Sequence, residues 1–267
     1  MNISRTWNTL KVDIAHHFAT ITINRPTKLN ALNIELLGEL KELLVEMTKD
    51  ESFAIKGLLI TGEGEKAFIA GADIAEMSDM NPSDAYTFGQ LGQQVTTLIE
   101  TLQVPVIACV NGFALGGGCE IAMSCDYIYA TNNAVFGQPE VKLGLIPGFG
   151  GTQRLAKLVG RNHAKEMIYT GRNVPVSEAL AMGLVLKSFA TKEQMIEEAT
   201  KSLKLITTNS SFAVSIAKKV MNEGIDLTIS EGLQLEKRQF SAIFSSEDMR
   251  EGTRAFVEKR IPTFKGK

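Results

Sequence analysis

The residues best suited to chemistry in this chain are two glutamates, each beside glycine-rich backbone. Glu120 follows three consecutive glycines in segment 111–120, and Glu140 precedes segment 144–151, which reads Gly-Leu-Ile-Pro-Gly-Phe-Gly-Gly. Glycine lets a ligand approach the main chain closely and permits a positive φ. Backbone N–H groups at the start of a helix form a site for negative charge. The pattern therefore indicates an oxyanion pocket flanked by a pair of carboxylates, which favours an enzyme.

A solvated surface position is the alternative interpretation for both glutamates, since most glutamates are exposed. Glu120, however, stands within apolar sequence at a helix start, where burial of a carboxylate without a function would be costly. Two carboxyl groups in one poorly solvated cleft can hold a single proton, because their like charges disfavour double ionisation. Such a pair can accept a proton at one carboxylate and deliver one from the other.

The composition sets limits on the class of protein. The chain has 267 residues, enough to bury a sizeable core, with 44% hydrophobic and 22% charged residues. A formal net charge of -2 gives no overall attraction for nucleic acid. No apolar run approaches the roughly 18 residues of a membrane span, and the polar segment 1–8 resembles neither a secretory leader nor a transit peptide. We therefore expect a cytoplasmic protein with no nucleic-acid or membrane partner.

Three cysteines, Cys109, Cys119 and Cys125, lie close together in the apolar middle of the chain. A large reduced core needs no disulfide framework, so we expect them to be buried thiols. The three histidines are remote from them in sequence and have no spacing typical of metal ligands. The sequence therefore predicts no metal site.

Strand-like and helix-like segments alternate along the first 195 residues. Segment 19–24 alternates with β-branched residues, and the preceding segment 10–14 is predicted to pair with it as a hairpin. Asn33 is a plausible N-cap for a helix with an apolar face. Further strands are predicted at 57–61, 104–110 and 126–130, and a further helix at 81–102. This order indicates α/β architecture with largely parallel strand pairing.

The last part of the chain is predicted to be all helical. The helical patterns cover 192–207, 212–222, 228–244 and 247–259. We therefore divide the chain into a catalytic core, 1–195, and a helical C-terminal region, 196–267. These helices carry too much apolar surface for an isolated appendage, so we expect the region at subunit contacts.

Four segments together resemble the enoyl-CoA hydratase/isomerase (crotonase) family, most closely its short-chain enoyl-CoA hydratases. They are Ile-Asn-Arg-Pro-Thr-Lys-Leu-Asn-Ala-Leu at 23–32, Lys-Ala-Phe-Ile-Ala-Gly-Ala-Asp-Ile-Ala-Glu-Met at 66–77, the block 111–151, and Phe-Val-Glu-Lys-Arg at 256–260 followed by Phe264. The resemblance covers nearly the whole chain. It implies an α/β fold, a crotonase-like spiral of repeated ββα units, with a C-terminal helical region that forms trimers, usually paired as hexamers.

The resemblance also implies an activity. It is the reversible syn addition of water to a trans-2-enoyl-CoA, which gives a 3-hydroxyacyl-CoA, a lyase reaction that belongs to fatty-acid metabolism such as β-oxidation. Amino-acid catabolism and a fermentative or biosynthetic pathway are the alternatives. No cofactor is implied, because coenzyme A is part of the acyl-CoA thioester substrate.

By the same resemblance, Glu120 is the base that orients water, and Glu140 is the proton donor to carbon. This division of roles is an assignment within a coupled pair. Gly148 corresponds to a backbone N–H that helps to hold the water, with a plain turn as the alternative. Gln138 is expected to hydrogen-bond near Glu140, with a purely structural amide as the alternative.

The resemblance places two oxyanion donors at the backbone N–H groups of Ala72 and Gly117. Gly71 and Gly116 would permit the close approach of the thioester. Loss of one such donor typically costs about 10²–10³ in rate. An ordinary turn with Asp73 as a helix cap is the alternative for the first of these segments.

The implied contacts with the substrate and its coenzyme are Lys28, Leu29, Ala70, Gly71, Asp73, Ile74, Phe264 and Lys265. Thr27 and Ala75 stand at two positions where related hydratases often carry lysine. Lys28, next to Thr27, is the candidate to replace the first of these lysines. Phe264 and Lys265 are expected at the nucleotide end of the coenzyme, from the same or a neighbouring subunit. A solvated tail is the alternative for these two residues.

The alternatives to hydration are double-bond isomerisation or another acyl-CoA reaction on the same fold, and RNA binding. An isomerase needs one carboxylate to move a proton between carbons and often lacks the first glutamate, so the presence of both argues against it. Some relatives of the family bind RNA through a lysine-rich helix. The first long helix here is mixed and mostly acidic, with Glu35, Glu39 and Glu42 among its residues, and so offers no row of positive charge for phosphates.

Overall fold

The computed structural model describes residues 5–50 and 52–267, so residues 1–4 of the N-terminal segment considered above lie outside the described residues. The strands are β1 (Leu10–Ala15), β2 (Phe18–Ile23), β3 (Gly57–Gly62), β4 (Ala67–Ile69), β5 (Val106–Val110), β6 (Phe113–Leu115), β7 (Tyr127–Thr131), β8 (Val135–Gly137), β9 (Val174–Pro175) and β10 (Lys187–Phe189). The helices are α1 (Ile34–Thr48), α2 (Ile74–Met77), α3 (Pro82–Thr101), α4 (Gly117–Ser124), α5 (Gly151–Thr170), α6 (Val176–Ala181), α7 (Lys192–Thr207), α8 (Ser211–Gly224), α9 (Ile229–Ile243) and α10 (Glu247–Glu258). Two 3-10 turns cover Pro26–Lys28 and Glu140–Leu143.

The strands form a larger sheet, ordered β1-β2-β3-β5-β7-β10, and a smaller sheet, ordered β4-β6-β8-β9. The pairs β1–β2 and β8–β9 are antiparallel, and the other neighbouring pairs are parallel. The predicted N-terminal hairpin and the largely parallel pairing are confirmed.

Three successive parts of the chain repeat one arrangement, in which a strand of the larger sheet is followed by a strand of the smaller sheet and then by helix. The repeats are β3-β4 with α2 and α3, β5-β6 with α4, and β7-β8 with α5. This is the spiral of ββα units that the resemblance implied. The strands β4, β6 and β8 were not predicted, because three residues are too few to show a period of two. These three parallel strands bring their carboxyl ends to one edge of the smaller sheet.

The helix starts follow local capping chemistry. The Asn33 side chain accepts a hydrogen bond from the Leu36 N–H, which confirms the predicted N-cap of α1. Asn81 and Asp84 form a capping box at the start of α3, and Pro82 occupies the first turn. Within the described residues, no helix is long and apolar enough to cross a membrane.

The core lies between and around the sheets. Every residue of β3 and β5 is buried, and α1 packs against α3 on one side of the larger sheet. On the other side, α7 packs Met195, Ala199 and Leu203 against Leu59 and Ile107. The helix predicted at 192–207 is confirmed, and the predicted domain division after residue 195 falls inside it. The cysteines are buried thiols, as predicted.

The C-terminal helices α8, α9 and α10 leave much apolar surface exposed. None of the described residues of α9 is buried. Exposed large apolar residues in this part are Met221, Ile225, Leu227, Ile229, Leu233, Phe240, Phe244, Phe256, Val257 and Ile261. α8 is joined to the core by an ion pair between Lys218 Nζ and Asp126 Oδ2 at 2.9 Å.

Candidate active site

A cavity of about 400 Å³ opens where the carboxyl ends of β4, β6 and β8 meet. This position is the usual one for a ligand in an open α/β sheet. It is lined by the segments that follow the three strands, by α3 and by the loop 143–149. Among the described residues that line this cavity, Glu120 and Glu140 are the titratable ones.

Glu120 lies in the first turn of α4 and is only 1% exposed, as its apolar sequence context predicted. Its Oε1 accepts hydrogen bonds from the backbone N–H groups of Phe149 and Gly151, both at 2.7 Å. Burial raises the pKa of Glu120, while these two N–H groups and the charge of Arg154 lower it. The two donors favour the ionised form, so Glu120 is the carboxylate better equipped to carry a negative charge.

Glu140 begins the 3-10 turn that follows β8. Its Oε2 is buried and has no hydrogen-bond partner among the described residues. Burial, and to a smaller extent the nearby charge of Glu120, raise the pKa of Glu140 to about 7. A Cβ atom on Gly116 would lie 2.9 Å from Glu140 Oε1, and Gly116 has a φ of 50°. Glycine at this position therefore makes room for the second carboxyl group.

The backbone around Ala72 is held by pairing with Leu32. The Leu32 N–H donates to the Gly71 carbonyl at 2.8 Å, and the Asp73 N–H donates to the Leu32 carbonyl at 2.7 Å. A trans peptide directs its N–H opposite to its C=O, so the Ala72 N–H points away from Leu32. Ala72 lines the cavity.

The backbone around Gly117 is held in a similar way. The Gly116 carbonyl accepts hydrogen bonds from the Glu120 N–H at 3.0 Å and from Gln138 Nε2 at 3.2 Å. The Gly117 N–H of the same peptide therefore points in the opposite direction. No side chain caps the start of α4 within the part of the chain that the structure describes. Gln138, which was expected near Glu140, is buried and contacts this peptide.

Other predicted residues lie in or beside the cavity. Ala70, Gly71, Ile74 and Gly148 line it. The Leu29 carbonyl accepts a hydrogen bond from the Ala70 N–H at 3.1 Å, which places the exposed Lys28 next to the 70–74 segment.

Asp73 stands at the start of α2 but forms no side-chain cap there. Its Oδ2 instead pairs with Arg25 Nη2 at 3.1 Å. The ion pair ties the segment after β2 to the segment after β4, and thereby supports the Leu32 pairing that orients Ala72.

Phe264 and Lys265 lie apart from the two glutamates within this chain. Phe264 packs near Gly252 of α10, and the Lys265 N–H donates to Asp248 Oδ1 at 2.7 Å. The described residues that line the cavity include neither of them. Across the described residues, no group of three or more His, Cys, Asp or Glu could hold a metal ion.

Sequence reasoning missed the residues that hold and enclose Glu120. Within the 144–151 block only Gly148 was predicted as a site residue, whereas the N–H groups of Phe149 and Gly151 contact the carboxylate. Phe149 also packs its ring 5.4 Å from that of Phe88 on α3 at the cavity wall. The glycines on both sides of Phe149 are the sequence feature that could have identified this loop as a contact of Glu120.

Comparisons with known proteins agree with this geometry. The family described as Enoyl-CoA hydratase/isomerase matches residues 13–267. The chain is 48% identical to a Short-chain-enoyl-CoA hydratase of Clostridium acetobutylicum, over 93% of this chain and 95% of the relative. It is 46% identical to a Crotonyl-CoA hydratase of Syntrophomonas wolfei, over 92% of this chain and 94% of the relative.

A solved structure, the Enoyl-CoA Hydratase from Bacillus anthracis, superposes with a TM-score of 0.92 at 38% identity, and the match covers 97% of this chain and 100% of that one. Both the sequence and the fold therefore match along nearly the whole length. The chain belongs to the enoyl-CoA hydratase/isomerase family.

Proposed function

We propose that this protein is an enoyl-CoA hydratase that reversibly adds water to a trans-2-enoyl-CoA to give a 3-hydroxyacyl-CoA. The observation that carries the proposal is a pair of carboxyl groups in one cavity. The buried Glu120 is bonded to two N–H groups, and the half-buried Glu140 has a pKa of about 7. The family and the relatives named as short-chain enoyl-CoA and crotonyl-CoA hydratases support hydration by this chain.

In the proposed mechanism, the N–H groups of Ala72 and Gly117 bind the thioester carbonyl oxygen. This oxygen gains enolate-like charge when water adds to the β-carbon. Fixed N–H groups stabilise that charge more in the transition state than in the ground state, and therefore raise the rate. The support is that both peptides are held at their carbonyl ends by protein hydrogen bonds, so they need no reorganisation during the reaction.

The two glutamates divide the proton transfers. Glu120, as the ionised partner, takes a proton from the attacking water while the water oxygen bonds to the β-carbon. Glu140, as the protonated partner, delivers its proton to the α-carbon. The pair then returns to its starting state by moving one proton from Glu120 back to Glu140. Gly148 is proposed to help hold the water.

The acyl chain would contact the apolar part of the cavity wall, which is formed by residues such as Met77, Ala85, Phe88 and Phe149. The relatives named as short-chain enoyl-CoA and crotonyl-CoA hydratases support a short acyl chain. The coenzyme would extend past Lys28, Leu29, Asp73 and Ile74 at the mouth. Phe264 and Lys265 would contact its nucleotide end from a neighbouring subunit. Coenzyme A belongs to the substrate, so the reaction requires no separate cofactor.

Hydration is favoured over double-bond isomerisation because both carboxyl groups line the same cavity. An isomerase would use one carboxylate to move a proton between two carbons. The loss of enoyl-CoA absorbance, measured with acyl chains from four to sixteen carbons, tests the assignment. We expect the highest kcat/KM at four carbons, and no hydration of any chain length would reject the proposed function.

The rate of hydration should depend on pH through the glutamate pair. Because kcat/KM reports the free enzyme, it should fall as pH rises through about 7, where Glu140 loses its proton. It should also fall on the acidic side, where Glu120 gains a proton, and burial raises the pKa of Glu120 above its ordinary value. Initial rates with crotonyl-CoA from pH 5 to pH 10 measure both limbs, which belong to the coupled pair. A rate that still increases above pH 8 would contradict this assignment.

We also propose that the chain forms trimers, paired as hexamers in the cytoplasm, with residues 196–267 at the contacts. The exposed apolar residues of α8 to α10 support this, since a monomer rarely exposes so large an apolar surface. Light scattering at micromolar concentration should give the mass of three or six chains. Phe240→Glu, on the surface of α9, should lower that mass, and the exposed Glu65→Gln should not. A monomeric wild type would remove the idea.

A further inference from the structure

The loop that contacts Glu120 is held from behind by polar side chains. The Phe149 N–H that donates to Glu120 belongs to the peptide between Gly148 and Phe149. The carbonyl of that peptide accepts a hydrogen bond from Gln93 Nε2 of α3 at 2.9 Å. One peptide group therefore links α3 to the carboxylate, with its C=O anchored and its N–H directed at Glu120.

The next peptide is anchored by two further side chains. The Phe149 carbonyl accepts hydrogen bonds from Thr96 Oγ1 and from Arg154 Nη1, both at 3.0 Å. Arg154 Nη1 also lies 3.3 Å from Thr96 Oγ1. The other end of the guanidinium, Nη2, pairs with Glu100 Oε2 at 2.7 Å. Arg154 thus joins the loop to α3, and its side chain is only 16% exposed.

The residues of α3 that form this anchor share one face of the helix, because Gln93, Thr96 and Glu100 are spaced by three and four positions. The loop is shaped to admit the arginine. Gly150 has a φ of 110°, and a Cβ atom there would collide with Arg154 Nη1. Glycine at this position leaves room for the Arg154 side chain. The glycines that line the cavity are other ones.

Arg154 also acts on Glu120 by its charge. The titratable groups that face Glu120 are Glu140 from the 3-10 turn, Cys119 from α4 and Arg154 from α5, and Glu100 from α3 faces Arg154. The arginine lowers the pKa of Glu120 and so favours the ionised carboxylate. Both effects of Arg154, on the loop and on the charge, bear on the same side chain.

We propose that Arg154 is a positioning residue for Glu120, which holds the Phe149 backbone in place without touching substrate. This inference rests on the proposed function, since it takes Glu120 to be the base of a hydratase. It assigns a role to a residue outside the cavity and gives Glu100 the role of its anchor.

The test is steady-state hydration of crotonyl-CoA by Arg154→Gln, with kcat/KM measured against pH. A misplaced base should lower kcat on the order of 10- to 100-fold with little change in KM. The acidic limb of the profile should move to higher pH, because Glu120 gains a proton more readily without the arginine charge. Arg154→Lys should return the limb toward its original position but restore kcat only in part, because an ammonium cannot reproduce the planar fork of the guanidinium.

Two matched variants separate charge from anchoring. Glu100→Gln keeps the arginine charge but weakens its anchor, so kcat should fall while the acidic limb does not move to higher pH. Lys157→Gln removes a cation one turn along α5 that pairs with Asp226 on the surface, and it should behave as wild type. If Arg154→Gln does not fold, Arg154→Lys and Glu100→Gln carry the test through the same kcat and limb measurements.

The inference is overturned if Arg154→Gln folds and keeps the wild-type kcat and acidic limb. It is also overturned if kcat falls in both arginine variants while the acidic limb stays at its wild-type pH in each of them. That result would indicate a merely structural role for Arg154. Failure of the proposed function looks different, because the wild-type protein would then hydrate no enoyl-CoA.

Discussion

Glu120→Gln should lower kcat for crotonyl-CoA hydration by about 10²–10⁴-fold and leave KM nearly unchanged, because a general base acts in the transition state. Glutamine keeps the shape of the side chain and can still accept from the Phe149 and Gly151 N–H groups, but it cannot take a proton from water. Exchange of the α-proton with solvent should fall less, since Glu140 and the two backbone donors remain. Coupled assays of hydration and of deuterium exchange measure the difference.

Glu140→Gln should suppress hydration and α-proton exchange together, because the proposed acid serves both. It should also remove the alkaline limb of the pH profile, which we assign to the group with a pKa of about 7. Glu65→Gln, an exposed glutamate away from the cavity, is the control and should leave both rates unchanged. Equal losses of the two rates in Glu120→Gln would show that the pair acts as one unit. Hydration close to wild type in either cavity variant would reject the hydratase mechanism.

Gly118→Ala should destabilise the protein by about 1–3 kcal/mol or more and abolish most activity, because the new methyl group has no space. A Cβ atom on Gly118 would collide with the carbonyl oxygen of Ile69, which is backbone of β4 and cannot turn aside. The start of α4 would have to move, and Gly117 and Glu120 would move with it. The midpoint of urea unfolding at matched protein concentration, together with kcat, measures both effects.

Gly38→Ala is the matched control for this prediction. Gly38 is also a helical glycine, in α1, but a Cβ atom there would have no atom of the described residues within 4 Å. The substitution should be neutral or stabilise by roughly 0.5–1 kcal/mol, since alanine favours the helix over glycine. Equal unfolding midpoints for the two variants would show that the contact between α4 and β4 is not as tight as the geometry requires.

Several parts of the fold could be predicted because their signals are local. Helix α7 was predicted with its observed bounds, and the Asn33 cap of α1 was predicted from residue type alone. The strands β4, β6 and β8 were missed because three residues carry no periodicity. The family and its fold, inferred from segment order and spacing, are confirmed by the comparisons. The roles of the individual site residues, the oligomer and the domain division stay predictions.

The sequence by itself determined which residue types stand at the site. The glycines around Glu120 and Glu140 were visible because backbone that approaches a ligand needs residues without side chains. Only the tertiary structure decided which groups hold those residues. Glu120 is oriented by the N–H groups of a loop some thirty positions later in the chain, and that loop is anchored by Arg154 and by α3. Such contacts depend on the distance between segments that the parallel strands bring together, and a local pattern of residue types does not contain that distance.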